Sequence, residues 1–428
     1  MKILIVSSFF PPQNSIASLR PYSWAKYWSR MGHEVTVLTV PKAAQPSDSA
    51  MDTDNFAVHY IDAPLLAKNN SGKTLAKQQE MDTAITVRKP SLLRCVARKF
   101  VAHLSSRYGV LYSCRFPDVM DLWAAKAKLW AAKQSWDIVV STGGPYSVHR
   151  IALHIKQQSP QTKWILDWRD LWTQNHFFRG IWFFRPYERM LERRFHRHAD
   201  LVTTVSEPLA ELLKKVGAGT VTTIYNGFDP DDYASLTAEH FFGSGEVFRI
   251  VYSGTIYAGR QDPTLLFRAV AKLAASGKIT PAKVRLVFAG ANADPTEIAR
   301  RCGVEEYVEY LGFLPRAQAL QMQRDADMLL FLGLKDHDNK GILTGKLFEY
   351  LYVNKVVLAL DVTRDSEIGE MFLDSGSYVI ENQSQLENII QNELDHPSIR
   401  KGFATAITQY SREYQAELML NSLEYKRK

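Results

Sequence analysis

Cysteine is scarce. Cys95, Cys114 and Cys302 are the only three among 428 residues, widely spaced and odd in number. They form neither a disulfide framework nor a CxxC metal pair, and a reducing cytoplasm is the expected setting. Long apolar runs are also missing, since no stretch approaches the roughly 18 consecutive apolar residues that mark a membrane-crossing helix. Met1 to Val6 runs on to Pro11 and Pro12 without a cleavage-site pattern, so it reads as a first β-strand rather than a signal peptide. The absence of low-complexity tracts excludes extended disorder. No G-x-G-x-x-G follows a first strand, which disfavours a dinucleotide dehydrogenase. His196 and His198 stand without further ligands at zinc spacing, and no metal site is expected.

What is present is an ordinary globular composition, 46% hydrophobic and 23% charged, long enough for two or three domains. The net charge of +7 is unevenly placed. From Arg88 to Arg115 there are seven basic residues (Arg88, Lys89, Arg94, Arg98, Lys99, Arg107 and Arg115) and no acid. Leu93, Val96, Ala97, Phe100, Val101 and Leu104 recur there at helical spacing, so the segment reads either as a helix lying on an anionic membrane surface or as a core-packed helix with a solvated basic face. Nucleic acid is not an expected partner, because no recognisable binding motif accompanies the charge.

Strand and helix patterns alternate along the chain. Residues 3–7, 34–39, 136–141, 163–167 and 201–205 read as strands, with helices at 17–31, 146–158, 182–197 and 208–216; residues 41–90 read as an irregular insertion. After the turn cluster Asn226-Gly-Phe-Asp-Pro230 the alternation restarts at Phe248 and continues to Leu360. The fold class is therefore α/β, with two tandem doubly wound, Rossmann-like domains and ligands at the carboxyl ends of the parallel strands. The expected division is 1–235, 236–410 and a C-terminal helix, 411–428, packing back on the first domain.

The most informative segment is Gly341-Ile-Leu-Thr-Gly-Lys-Leu-Phe-Glu-Tyr350. It follows a strand and opens a helix: Thr344 can cap, Gly345 lets a ligand approach the backbone, and the helix start with Lys346 favours an anion. Glu349 lies one turn further on the same face, where it could hold a diol; a phosphate and a diol at that spacing suit a nucleotide, although a plain surface Lys–Glu pair has the same pattern. Gly254 and Arg260, in the loop after Phe248–Tyr252, could admit and clamp a diphosphate. In the first domain, Asp167, Arg169 and Asp170 end a strand, where carboxylates could position an acceptor hydroxyl or a cationic centre, or simply tie a loop. Asp336-His-Asp338 is a two-carboxylate loop, thin as a metal site.

Taken together, Lys2-Ile-Leu-Ile-Val-Ser-Ser-Phe-Phe-Pro-Pro12, Gly32-His-Glu-Val-Thr-Val-Leu-Thr39, Ser206-Glu207, Asn226-Gly-Phe-Asp229 and Gly345-Lys-Leu-Phe-Glu-Tyr350 resemble bacterial glycosyltransferases of the GT-B fold, family 4. The segment Ser141 to Trp172 is similar to the branch acting in surface polysaccharide synthesis. The resemblance implies retaining transfer from a nucleotide sugar, with a UDP-sugar as the guess, to a glycan or lipid-linked acceptor, without an obligatory cofactor. It implies a cytoplasmic enzyme, peripheral on the inner face of the membrane. Glu349 matches the second glutamate of the family's E-x7-E motif, which binds ribose, and Arg260 falls where the family has a phosphate-binding lysine. Gly341 stands in place of the first glutamate, Thr255 in place of the arginine after Gly254, and Arg169 in place of a catalytic-loop histidine. Catalytic roles then fall to Asp167, Arg169, Asp170, Arg260 and Lys346, and donor binding to Gly254, Arg260, Thr344, Gly345, Lys346 and Glu349. The alternatives are a sugar-nucleotide epimerase of the same fold and a non-catalytic sugar-nucleotide or glycan-binding subunit.

Overall fold

The computed structural model describes residues 1–13, 15–41, 51–63, 104–111, 114–175, 178–243, 245–292, 294–335, 341, 343–398 and 403–425. The chain divides into two compact units, Met1–Tyr225 with Ala416–Lys428, and Asn226–Gln415. The division precedes residue 235 because the turn after Tyr225 is bonded into the second unit. Phe228 N donates to the Tyr410 carbonyl at 3.1 Å, and Arg412 N to the Phe228 carbonyl at 2.8 Å. Gly227, at φ +63°, is required there, since a Cβ would collide with the Tyr410 carbonyl.

In the first unit the strands are β1 (Lys2–Val6), β2 (Glu34–Thr39), β3 (Ala57–Tyr60), β4 (Val110–Leu111), β5 (Arg115–Asp118), β6 (Ile138–Thr142), β7 (Lys163–Trp168), β8 (Leu201–Thr204) and β9 (Val221–Thr223). Among the described residues, seven of them form one parallel sheet in the order β3-β2-β1-β6-β7-β8-β9, and β4 pairs with β5 separately. Buried parallel strands carry continuous runs of branched residues, as Ile-Leu-Ile-Val in β1 and Ile-Val-Val in β6 do. Alternate residues then serve opposite faces. Ile3 and Ile5 pack with Trp24 and Trp28, whereas Leu4 and Val6 pack with Trp123 and Trp164. The helix Arg412–Tyr425 contributes Ala416, Met419, Leu420 and Leu423 to this unit's core, and the Ala416 carbonyl accepts from the Trp28 indole at 2.9 Å.

Several elements differ from the sequence expectation, β3 and the helix Met120–Ala131 among them. β3 lies inside the stretch read as irregular, because a short sheet edge with polar neighbours carries little pattern. The helix Met120–Ala131 was unmarked because its alanines and tryptophans blur the apolar stripe. Of the basic run, residues 88–103 lie outside the described residues. Arg115 departs from the surface role expected of it: it is buried, ion-paired with Glu188 at 2.6 Å and bonded to the Trp172 carbonyl.

The second unit is built on β10 (Phe248–Ser253), β11 (Val284–Ala289), β12 (Val308–Tyr310), β13 (Met328–Leu332), β14 (Val356–Leu360) and β15 (Tyr378–Val379). Among the described residues its sheet runs β12-β11-β10-β13-β14-β15, parallel throughout. Helices Thr264–Ala275 and Gln383–Asp395 pack on one face with Ile250, Leu286, Leu330 and Leu358. The helix Gly345–Val353 links β13 to β14 and ends at Asn354, which is left-handed at φ +58°.

Candidate active site

In the second unit, the carboxyl ends of β10 and β11 are nearly bare backbone. Gly254 follows β10 at φ +121°, and a Cβ there would sit 2.8 Å from Lys346 Nζ. Gly290 follows β11 at φ +146°, and a Cβ there would collide with the Gly254 carbonyl. Glycine at both positions leaves room for the lysine and for the close approach of a ligand. Lys346 Nζ donates to the Tyr252 hydroxyl at 2.8 Å and lies 4.1 Å from the centre of its ring, while that hydroxyl donates to the Thr255 carbonyl at 2.8 Å. Burial, opposed in part by the charge of Glu349, brings Lys346 down to about 7.

Thr344 has the extended backbone of an N-cap, φ −79° and ψ 151°, and its hydroxyl makes no hydrogen bond among the described residues. Helix geometry leaves the amides of Gly345 and Lys346 without intrahelical acceptors, the usual basis of an anion site. Arg260 is exposed in the loop after β10. That loop is tied to the segment after β13: Lys335 N donates to the Arg260 carbonyl at 2.9 Å, Gln261 donates to the Leu332 carbonyl at 2.6 Å, and Lys335 Nζ pairs with Asp262 at 2.7 Å. The structure thus brings Gly254, Arg260, Thr344, Gly345 and Lys346 to one edge of the unit.

Glu349 is one helical turn further and does not pair with Lys346. Its carboxylate accepts from Arg316 at 3.0 Å and from the Gln323 amide at 3.1 Å, and Arg316 also pairs with Asp232 at 2.7 Å. Burial works against its charge, but Arg316 and Gln323 outweigh it and hold the group below the usual carboxylate range. Sequence reading missed Tyr252, Arg316, Gln323 and Asp232. Tyr252 looks like one more core aromatic in a strand, and Arg316 is 33 positions from Glu349 with no local pattern joining them. Asp336, His337 and Asp338 lie outside the described residues.

The first unit has its own cavity, of about 220 Å³, at the carboxyl ends of β1, β6 and β7. Phe9, Tyr146, Trp168, Trp172 and Phe178 wall it, with Arg169, Asp170 and Asn175 as polar lining. Trp172 stacks on Tyr146 at 4.5 Å, and its indole N–H is buried without an acceptor among the described residues. Arg169 lies 5.2 Å from the Phe9 ring centre and pairs with the exposed Asp170 at 3.0 Å. Asp167 is placed differently from its two neighbours. It is fully buried, and it accepts from Arg20 at 2.7 and 3.1 Å, from Thr142 at 2.7 Å and from Thr203 at 2.8 Å. Burial raises its pKa, yet Arg20 and the hydroxyls reverse that and hold it below the usual range. It joins β6, β7, β8 and the helix Ile16–Arg30, and it is absent from the cavity wall, so its geometry is that of a core tie rather than of a group that meets substrate. His149 and His196 are also buried, and desolvation lowers them to about 3 and about 4, so both are neutral near pH 7.

Residues 18–227 match a family described as glycosyl transferase 4-like domain. No curated protein matches the chain significantly. Among solved structures, 99% of the chain is similar to 94% of sucrose-phosphate synthase from Thermosynechococcus elongatus, with 14% identity and a TM-score of 0.51. It is similar to 99% of a UDP-forming α,α-trehalose-phosphate synthase from Burkholderia xenovorans, with 99% of the chain covered, 11% identity and a TM-score of 0.57. It is likewise similar to 95% of a protein described as a UDP-N-acetylglucosamine 2-epimerase from Listeria monocytogenes, with 99% of the chain covered, 15% identity and a TM-score of 0.53. At these identities the likeness is one of fold.

Proposed function

The chain is a glycosyltransferase of the GT-B fold, residues 18–227 forming a glycosyl transferase 4-like domain, and from that premise we propose a specific reaction. It moves a sugar from a nucleotide-sugar donor, a UDP-sugar, to a glycan or lipid-linked saccharide in cell-surface polysaccharide synthesis. The anomeric configuration is retained. The observation that carries the reading is the edge where Lys346 lies across Gly254 at the start of the Gly345–Val353 helix, with Glu349 one turn on. That edge has cations and free amides for a diphosphate and a carboxylate for a ribose diol. The UDP-forming synthase of the same fold supports the choice of uridine.

In the transfer, the bond from the anomeric carbon to the diphosphate oxygen breaks and the acceptor oxygen bonds to that carbon. The acceptor proton passes to the departing diphosphate. Negative charge grows on the leaving group, and Lys346, Arg260 and the amides at Gly345 and Lys346 stabilise it without reorganising. The aromatic cavity of the first unit suits the apolar face of an acceptor sugar ring, with Arg169, Asp170 and the Trp172 N–H as its polar contacts. Asp167 positions β7 beneath that cavity and does not itself meet the substrate.

Mass spectrometry of the purified protein with a panel of nucleotide sugars and candidate acceptors tests the reading, with NMR of the product reporting the anomer. A glycosylated acceptor with the donor's configuration is expected. An isomerised sugar nucleotide would make the protein an epimerase, and binding without turnover would make it a binding subunit.

A further inference from the structure

On the helix Arg185–His198 and the turn before it, charge is sorted by sign. Both acids of that segment face inward, Glu188 onto Arg115 and Glu192 onto Thr173, and both are buried. The exposed charges are all arginine: Arg179, Arg189, Arg193, Arg194 and Arg197. No carboxylate among the described residues pairs with the four on the helix. Beside them, large apolar side chains stand in solvent, Trp182 at 76% exposure, Phe183 at 54% and Met190 at 58%. Their exposure is not a by-product of a loose segment, because Phe184 next to them is packed edge-on against Phe116 at 4.9 Å and Arg185 donates to the Arg179 carbonyl at 2.9 Å.

A groove of about 390 Å³ continues this face onto the helices Met120–Ala131 and Ser147–Gln158. Lys128, Arg150, His154 and Arg194 line it together with Met190, and its one carboxylate, Asp121, is already held by Arg150 at 2.8 Å and by the Tyr146 hydroxyl. Leu122 and Leu129, on the first of these helices, are 51% and 60% exposed.

We propose that this face of the first unit docks on a bilayer containing anionic phospholipid, with Trp182, Phe183 and Met190 entering the interface and the arginines meeting headgroup phosphates. Tryptophan and phenylalanine suit the boundary between headgroup and acyl chain, and arginine pairs with phosphate there. A second copy of the chain is a poor occupant, because it would set one arginine array against another. A nucleic acid would use the arginines and leave the exposed apolar side chains in water. The proposal deepens the lipid-linked acceptor reading and rests on it for its purpose, since the acceptor would already lie at the surface the unit touches.

The test is flotation of the full chain with vesicles of phosphatidylcholine alone or with added phosphatidylglycerol. Wild type is expected to float with the anionic vesicles, less as salt rises. Replacing Arg189, Arg193 and Arg197 by glutamine should lower partitioning on the order of a hundredfold, at about fivefold for each charge, and Trp182→Ser with Phe183→Ser should lower it independently. Turnover on a short water-soluble acceptor is measured in parallel and should be unchanged in all variants, which shows that they fold. Binding to anionic vesicles that survives both sets of changes overturns this surface and leaves membrane attachment to another part of the chain. Wild type that ignores all vesicles yet turns over the soluble acceptor overturns the membrane proposal and leaves the transferase reading standing. Self-association abolished by the same changes would also overturn it.

Discussion

Binding of UDP at the Gly345–Val353 helix should draw a proton into the protein, and Lys346 is the group that takes it. In the free enzyme the ammonium is half-buried over the Tyr252 ring and sits at about 7. At pH 8 such a group is only about one-tenth protonated, whereas an adjacent diphosphate would return it toward the ordinary lysine value of about 10.4, so uptake should be about 0.9 proton. The terminal phosphate of UDP, with a last pKa of about 6, is already ionised at pH 8 and contributes little. The affinity should accordingly fall nearly tenfold per pH unit across roughly pH 7.5 to 9.5, the linkage slope for one proton. Calorimetry at pH 8 in buffers of different ionisation enthalpy counts the proton directly. Lys346→Arg keeps the charge but does not titrate, so its uptake should vanish and its affinity should be flat with pH. Uptake near zero in wild type, or equal uptake in Lys346→Arg, would refute the assignment of this lysine to the diphosphate.

Glu349→Gln should weaken UDP binding by roughly 1.5–3 kcal/mol, the worth of a hydrogen bond to a charged group, and unchanged affinity for every nucleoside diphosphate tried would remove Glu349 from the site. Arg260→Ala and Lys346→Ala should each lower kcat by two orders of magnitude or so, the scale of one lost stabilising contact to a growing charge, while EDTA changes little. Complete loss on chelation, restored by manganese or magnesium, would shift the role to Asp336 and Asp338. Asp167→Asn should cost about 3–5 kcal/mol in denaturant unfolding, because it strands the buried Arg20. Wild type should begin to lose that advantage as the pH falls below about 4 and lose it fully only beneath the lower folded value, since a carboxylate held low in the folded state stabilises fully above its unfolded pKa and is neutralised only as the pH passes its folded one. A stability profile identical to the variant's down to pH 3 would contradict the pairing.

The alternation of branched runs with amphipathic segments was enough to read two parallel α/β units, because a strand buried on both faces must be apolar at nearly every position, as β1, β13 and β14 are. The edge proposed for the donor was legible for the same kind of local reason. A threonine, a glycine and a lysine at a helix start carry their chemistry within three consecutive residues, and Glu349 follows by helical period. What the sequence could not reveal were partners brought from far along the chain. Arg316 claims Glu349, Tyr252 claims Lys346, and Arg20 draws Asp167 into the core while Arg169 and Asp170, two and three residues on, stay at the cavity. A carboxylate in a strand-end motif looks the same whether it turns toward solvent or into the sheet. Alternation along the backbone decides which face it joins, and only the fold supplies the buried cation 147 positions away that makes the inward choice stable. The sorting of charge on the Arg185–His198 helix has the same origin, since the acids and arginines alternate in sequence and separate only when the helix sets Glu188 and Glu192 on the face that packs.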